Sequence, residues 1–173
     1  MSTVVVTGGA EVEVEAVRGL LREYAAWVGL DLSFQGFEAE LAALPGDYVA
    51  PRGTLQLARV DGRAVGCVAI HPWEGDICEM KRLYVRPDAQ GSGLGRALVA
   101  RAIAWSREAG YRRIVLDTLP AMTAAQRMYE RLGFLDSAAY RANPVSGARF
   151  MALDLGVGVE AEPAAVSGLR PRE

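Results

Sequence analysis

The chain has 173 residues, 51% of them hydrophobic, and a formal net charge of −2. That is about one domain's worth of sequence with enough apolar content for a real core, which excludes a disordered protein. No apolar run reaches the roughly 18 residues that cross a bilayer. Residues 1–6 also lack the basic region and apolar length of a signal peptide, so no membrane partner and a cytoplasmic location are expected.

In chain order, residues 4–6 read as a strand ended by Gly8-Gly9. From 11 to 28 the apolar positions Val14, Val17, Leu20, Leu21, Tyr24 and Val28 recur at helical spacing, and Gly29 stops the helix. Residues 37–44 form a shorter helix closed by Pro45-Gly46. Residues 54–60 and 64–70 are strands joined by Asp61-Gly62, a strong hairpin signal. A turn over 72–76 leads to a long strand over 77–85, ended by Arg86-Pro87-Asp88. Residues 94–109 are an amphipathic helix with Leu94, Leu98, Ala102, Trp105 and Ala109 on one side and Gly110 at its end. A buried strand over 113–119 is broken by Pro120. The helix over 123–132 starts on a capping-box spacing, Thr123 with Gln126. Strands over 134–140 and 149–155 complete the domain, which is expected to span 1–155, with a flexible tail over 156–173. The order β-α-α-β-β-β-α-β-α-β-β predicts an α/β (α+β) fold. It has one mixed, mostly antiparallel sheet of about seven strands, with helices on both faces.

Two cysteines, Cys67 and Cys78, and a single histidine, His71, give no disulfide framework and only a weak basis for a metal site; no metal is expected. His71, just before Pro72, reads as a turn residue, with a base as the lesser alternative. The net charge hides an asymmetry. Residues 1–80 carry 12 acidic and 5 basic side chains, and residues 81–173 carry 9 acidic and 14 basic ones. Such a split suggests one cationic and one anionic ligand, or else solvated helix faces. No run of consecutive basic residues supports nucleic-acid binding.

A strand, then Gln90-Gly91-Ser92-Gly93-Leu94-Gly95, then a helix is an anion-binding arrangement. Glycines let backbone approach a phosphate closely. The first helical N–H groups are unpaired, and the helix dipole favours negative charge there. The loop lacks the Gly-Lys-Ser/Thr ending of a nucleotide P-loop, and its G-x-G-x-G spacing departs from the dinucleotide fingerprint.

At this point the chain resembles the GNAT superfamily of N-acetyltransferases. The pattern Gln/Arg-x-x-Gly-x-Gly/Ala matches Gln90, Gly93 and Gly95. The likeness runs upstream through Glu79-Met80-Lys81-Arg82-Leu83-Tyr84-Val85 and downstream through Ala125 and Tyr129-Glu130-Arg131-Leu132-Gly133-Phe134. The resemblance implies acetyl-CoA as co-substrate. Leu83, Tyr84 and Val85 would pair with its pantetheine arm. Gln90, Gly91, Ser92, Gly93, Leu94, Gly95 and Arg96 would form the pyrophosphate site. Many members carry an asparagine seven residues before the tyrosine; here that position is Met122, with Thr118 or Thr123 as substitutes.

Acetyl transfer to an amine requires a proton to leave the amine, an oxyanion to be stabilised and a thiolate to be protonated. The resemblance makes Tyr129 the acid for the thiolate. It makes Glu79 the candidate base for the amine, directly or through water, or else a substrate anchor or an exposed edge charge, with Glu74 and Asp76 as alternative bases. A backbone N–H near Leu83 or Tyr84 is expected to serve the oxyanion. The acceptor, a small-molecule or protein amine, would meet segments 30–36, 45–53 and 140–148, with Phe34, Tyr48 and Tyr140 either lining its pocket or covering core. The acidic half would then face a cationic amine, and Glu23, Asp31, Glu38 and Asp47 would steer it. Dimerisation is common in the family, so a homodimer is among the expected states. The rival reading is a non-catalytic acyl-CoA-binding sensor or interaction module.

Overall fold

The computed structural model describes residues 4–29, 31–33 and 36–156. Phe34 and most of the expected tail (157–173) lie outside the described residues. The chain runs β1 (Val4–Gly8), α1 (Val14–Val28), α2 (Phe37–Ala43), β2 (Thr54–Val60), β3 (Arg63–Glu74), β4 (Ile77–Val85) and α3 (Leu94–Glu108). It ends with β5 (Arg113–Thr118), α4 (Thr123–Arg131), β6 (Leu135–Asp136) and β7 (Arg149–Asp154). The seven strands form one mixed, mostly antiparallel sheet, as the sequence pattern predicts, in the order β1-β2-β3-β4-β5-β7-β6. Only β4 and β5 run parallel.

Strand alternation sends side chains to two cores. Leu55, Leu57, Cys67 and Ala69 face Val17, Leu20 and Leu21 of α1 and Phe37 and Leu41 of α2. Ala58, Val68, Ile70 and Met80 face Leu98, Val99 and Ala102 of α3 and Tyr129 of α4. Both cysteines are free and buried, which is the bland role expected of them; burial raises their thiol pKa values to about 12 for Cys67 and about 11 for Cys78.

Two features of β4 make the cleft. First, Arg82 adopts a left-handed φ of 62°, and the register with β3 slips from Ala69↔Lys81 to Cys67↔Tyr84. Two residues of β4, Arg82 and Leu83, therefore stand against one of β3, a bulge that resets the alternation. Before it, Met80 points to the α3 core; after it, Leu83 and Val85 do so, while Tyr84 joins the α1 core. Second, β4 and β5 pair only from Ile77↔Arg113 to Glu79↔Val115. Beyond those positions the two strands diverge and leave a wedge between them.

Three local expectations change. β3 continues to Glu74, so His71 is a strand residue opposite Glu79, not a turn residue. The strand expected over 134–140 shrinks to Leu135–Asp136. The Thr123–Gln126 capping box does not form: Met122 is the N-cap, and Gln126 Nε2 donates to the Leu119 carbonyl at 2.8 Å instead.

Candidate active site

Where β4 runs on past its pairing with β5, its end borders a cavity of about 600 Å³. Its walls include Leu83, Tyr84 and Val85 of β4, Gln90, Gly91, Gly93, Gly95 and Arg96 of the glycine loop, and Met122, Thr123 and Tyr129 from the α4 side. Eight of the ten residues expected to hold the cofactor thus line one cavity. The other two serve the loop from behind. Ser92 Oγ donates to the Ala89 carbonyl at 2.6 Å, and Leu94 is buried in the α3 core. Gln90 also braces the loop, its Nε2 donating to the Val85 carbonyl at 2.9 Å. Thr118 sits beneath Met122 rather than on the cavity wall, so of the two proposed substitutes only Thr123 reaches it.

The loop fits a phosphate. Gly91 and Gly93 have φ of 77° and 84°, and no atom lies within 4 Å of where a Cβ on either would stand. Gly93 is the N-cap of α3, so that helix begins at the cavity. Glycine is needed here for the left-handed backbone, and the open space above it suits an anion drawn by the helix N-terminus.

Tyr129, on α4, is buried against Phe134 with ring centroids 5.6 Å apart. Its hydroxyl makes no hydrogen bond among the described residues, and its side chain lines the cavity. Burial, then the nearby Tyr24 and Asp117, raise its pKa above that of an ordinary phenol.

On the α2 side of β4 lies a buried polar cluster. Glu79 is fully buried, with His71 Nε2 2.7 Å from Oε1 and the Tyr140 hydroxyl donating to Oε2 at 2.6 Å. Arg141 Nη2 also bonds to Oε2, and Lys81 Nζ stands 4.0 Å from Oε1. Burial alone would raise the Glu79 pKa; the bonds from His71 and Tyr140 and the charges of Lys81 and Arg141 outweigh it, and the net shift is downward. Glu40 is treated in the same way: burial opposes, but Arg82 (Nε donating at 2.7 Å), Lys81 (3.5 Å) and the Tyr48 hydroxyl hold it ionised. Lys81 is pulled down by burial and by Arg82, against the two carboxylates. Asp117 completes the cluster, 3.6 Å from Arg141 Nε and accepting from Asn143 Nδ2 at 3.0 Å.

The structure brings Glu79, Tyr48 and Tyr140 into one cluster, Tyr48 being also a core residue, and leaves Glu74 and Asp76 at the exposed hairpin end. It adds Glu40, Lys81, Asp117 and Arg141, and brings in His71, the lesser candidate base. His71 had a legible signal: it and Glu79 are equally spaced about the Gly75 turn, so a hairpin register puts them opposite each other. The charge asymmetry is largely consumed inside the molecule. Glu23 holds Arg86 through two bonds of 2.5 and 2.8 Å, Glu40 holds Arg82, and Glu79 holds Arg141. Two of these acidic partners lie on helices of the acidic half, and all three bases lie in the basic half.

The sequence profile of the acetyltransferase (GNAT) family matches residues 17–134. An uncharacterized N-acetyltransferase of Schizosaccharomyces pombe is 41% identical over 145 residues, covering 83% of this chain and 89% of that protein. A GNAT-family acetyltransferase of Staphylococcus aureus superposes with a TM-score of 0.74 at 17% identity, covering 89% of this chain and 100% of the other. The structure of yncA from Salmonella typhimurium with its cofactor acetyl-CoA superposes at 0.65 and 20% identity, covering 93% of this chain and 98% of that one.

Proposed function

The chain belongs to the GNAT family of acetyl-CoA-dependent acyltransferases, and on that premise we propose that it acetylates a primary amine by direct attack, with Tyr129 at the departing sulfur and Glu79 acting on the amine's proton through His71. One observation supports this reading: β4 and β5 cease to pair after Glu79↔Val115, with the Tyr129 cavity on the α4 side of β4 and the Glu79 cluster on its α2 side. Asp117 stands in the Glu79 cluster, 3.6 Å from Arg141 Nε, and its charge adds to the burial that raises the Tyr129 pKa.

Bound acetyl-CoA supplies a thioester carbonyl open to attack and a thiolate leaving group. The loop amides of Gly91 to Arg96 hold its phosphates. The edges of Leu83, Tyr84 and Val85, freed from pairing where β5 turns away, hold its amide arm. Leu83 stands in the bulge without a β3 partner in the register, and its N–H is our candidate donor to the carbonyl oxygen.

The buried phenol of Tyr129 keeps its proton at neutral pH and has no competing protein acceptor. It serves the sulfur chiefly as a hydrogen-bond donor, since burial makes complete proton transfer harder. Glu79 is a poor direct base: it is sealed from solvent, its pKa is depressed, and donors already occupy both oxygens. It is well suited to orient His71, which is the more exposed of the pair and takes the proton.

The test is acetyl-CoA-dependent thiol release over a panel of amines, with wild type and Tyr129→Phe side by side. Turnover by wild type and its loss in the variant are expected. Tight acetyl-CoA binding with no turnover on any amine would favour a non-catalytic acyl-CoA-binding sensor instead.

A further inference from the structure

We infer that the acceptor is a free α-amino acid, its carboxylate held by Arg141 and its amine directed to His71. This rests on the acetyltransferase reading of the same wedge. Three observations carry it.

The first is the charge balance of the cluster. Its three carboxylates, Glu40, Glu79 and Asp117, already face Arg82, Arg141 and Lys81. No carboxylate is left over for a polyamine or another multiply cationic acceptor. These side chains are at most 19% exposed, so an ammonium entering alone would leave a charge uncompensated where solvent screens it poorly. An acceptor that brings its own carboxylate keeps the site neutral.

The second is Arg141 itself. Its Nε is buried and makes no hydrogen bond; Asp117 Oδ2, at 3.6 Å, is beyond reach and is held by Asn143. A buried guanidinium N–H without an acceptor is costly, and a ligand carboxylate supplies that acceptor in the geometry a guanidinium fork favours.

The third is where Arg141 stands. Its guanidinium lies 5.6 Å from the ring centroids of both Trp73 and Tyr140. Trp73 is 37% exposed, and Arg141, at 19%, is the most exposed of the three cluster cations, with Lys81 at 12% and Arg82 at 3%. It also touches Glu79 directly, which puts the carboxylate site beside the amine site. Only an acceptor with its two charges on adjacent groups satisfies both. A protein amino terminus, whose neighbouring carboxylate is tied up as an amide, does not.

The experiment measures acetylation by wild type, with mass detection, across the common amino acids, their carboxamides and the amines lacking the carboxylate. At least one amino acid is expected to exceed its carboxamide and its decarboxylated amine by about 100-fold in kcat/KM, the scale of a lost charge-assisted bond. Arg141→Gln should lower the rate on every amine, because Arg141 also pairs with Glu79, but should lower the amino-acid rate much further and so erase the preference. Arg141→Lys, which keeps the charge beside Glu79 and so protects folding, should retain part of it. Equal or better rates on carboxamides, polyamines or peptide amino termini would overturn the inference while leaving the acetyltransferase reading intact. If no amine is turned over, calorimetric titration of the amino acids into the protein with CoA decides. Binding that Arg141→Gln removes sustains the amino-acid site at Arg141 and overturns only its role as the acceptor site of an acetyl transfer. Absence of binding rejects the inference.

Discussion

Nε2 of His71 lies 2.7 Å from Oε1 of Glu79 across the β3–β4 pair, and the two side chains form one unit. Groups that act as a unit show strongly non-additive losses. His71→Gln and Glu79→Gln should each lower kcat/KM for the acceptor by about 100-fold or more, the range of a lost acid–base group. The double variant should be little worse than either single one. A double-mutant cycle at saturating acetyl-CoA measures this; independent, multiplying losses would show that the two residues work separately.

Tyr129→Phe should separate chemistry from stability. The hydroxyl has no protein partner among the described residues, so its removal breaks no hydrogen bond of the fold. The ring contact with Phe134 remains. The expected result is a kcat lower by about 100-fold, with Tm and KM for acetyl-CoA nearly unchanged. A comparable loss in Tm would mean that the tyrosine is chiefly a core residue.

The donor side of this site was legible in the sequence because it is local. Gln90 to Arg96 form one turn, and Leu83 to Val85 precede it on one strand, so pattern and spacing suffice. The acceptor side is not local. Arg141 meets Glu79 from 62 residues away, and Arg82 meets Glu40 from 42. Such pairs depend on where β7 inserts beside β5 and on how α2 packs, which short-range periodicity does not encode. The bulge at Arg82 hid the rest. Strict alternation would put Leu83 on the same face as Glu79 and Lys81, whereas the extra residue turns it to the cavity. The capping-box spacing at Thr123 failed for a different reason: Gln126 found a better acceptor in the Leu119 carbonyl.

Gly93 and Gly95 look equivalent in sequence and should respond in opposite ways. Gly93 sits at a φ of 84°, so alanine there costs about 1–2 kcal/mol of backbone strain and also deforms the phosphate cradle. Gly95 lies within the first turn of α3, where an added Cβ would meet Met128 Sδ and Val85 Cγ2 at an ordinary 3.8 Å. Gly95→Ala should therefore leave stability unchanged or raise it by up to about 1 kcal/mol, with acetyl-CoA affinity close to wild type. Gly93→Ala should lose stability and most of its affinity. Thermal melts with and without acetyl-CoA read both quantities at once.

The Glu79 cluster also sets the acid limit of the fold. Glu79 and Glu40 both have pKa values lower in the folded protein than in the unfolded chain. As pH falls below the unfolded value of about 4.3, the unfolded state takes up protons first, so stability falls with pH; above it, the contribution is fully present. Glu79→Gln at neutral pH leaves Arg141 and Lys81 facing a neutral group in a buried place and should cost about 3–5 kcal/mol. That deficit should shrink as wild type itself is acidified below about 4.3, because protonation removes the same charge that the substitution removes. Glu38→Gln, at an exposed position of α2, should change stability by less than about 0.5 kcal/mol at any pH. Denaturant melts of the three proteins between pH about 3 and 7 check the sign and the window. A gap between wild type and Glu79→Gln that stayed constant across this range would show that the Glu79 charge does not carry the stability assigned to it.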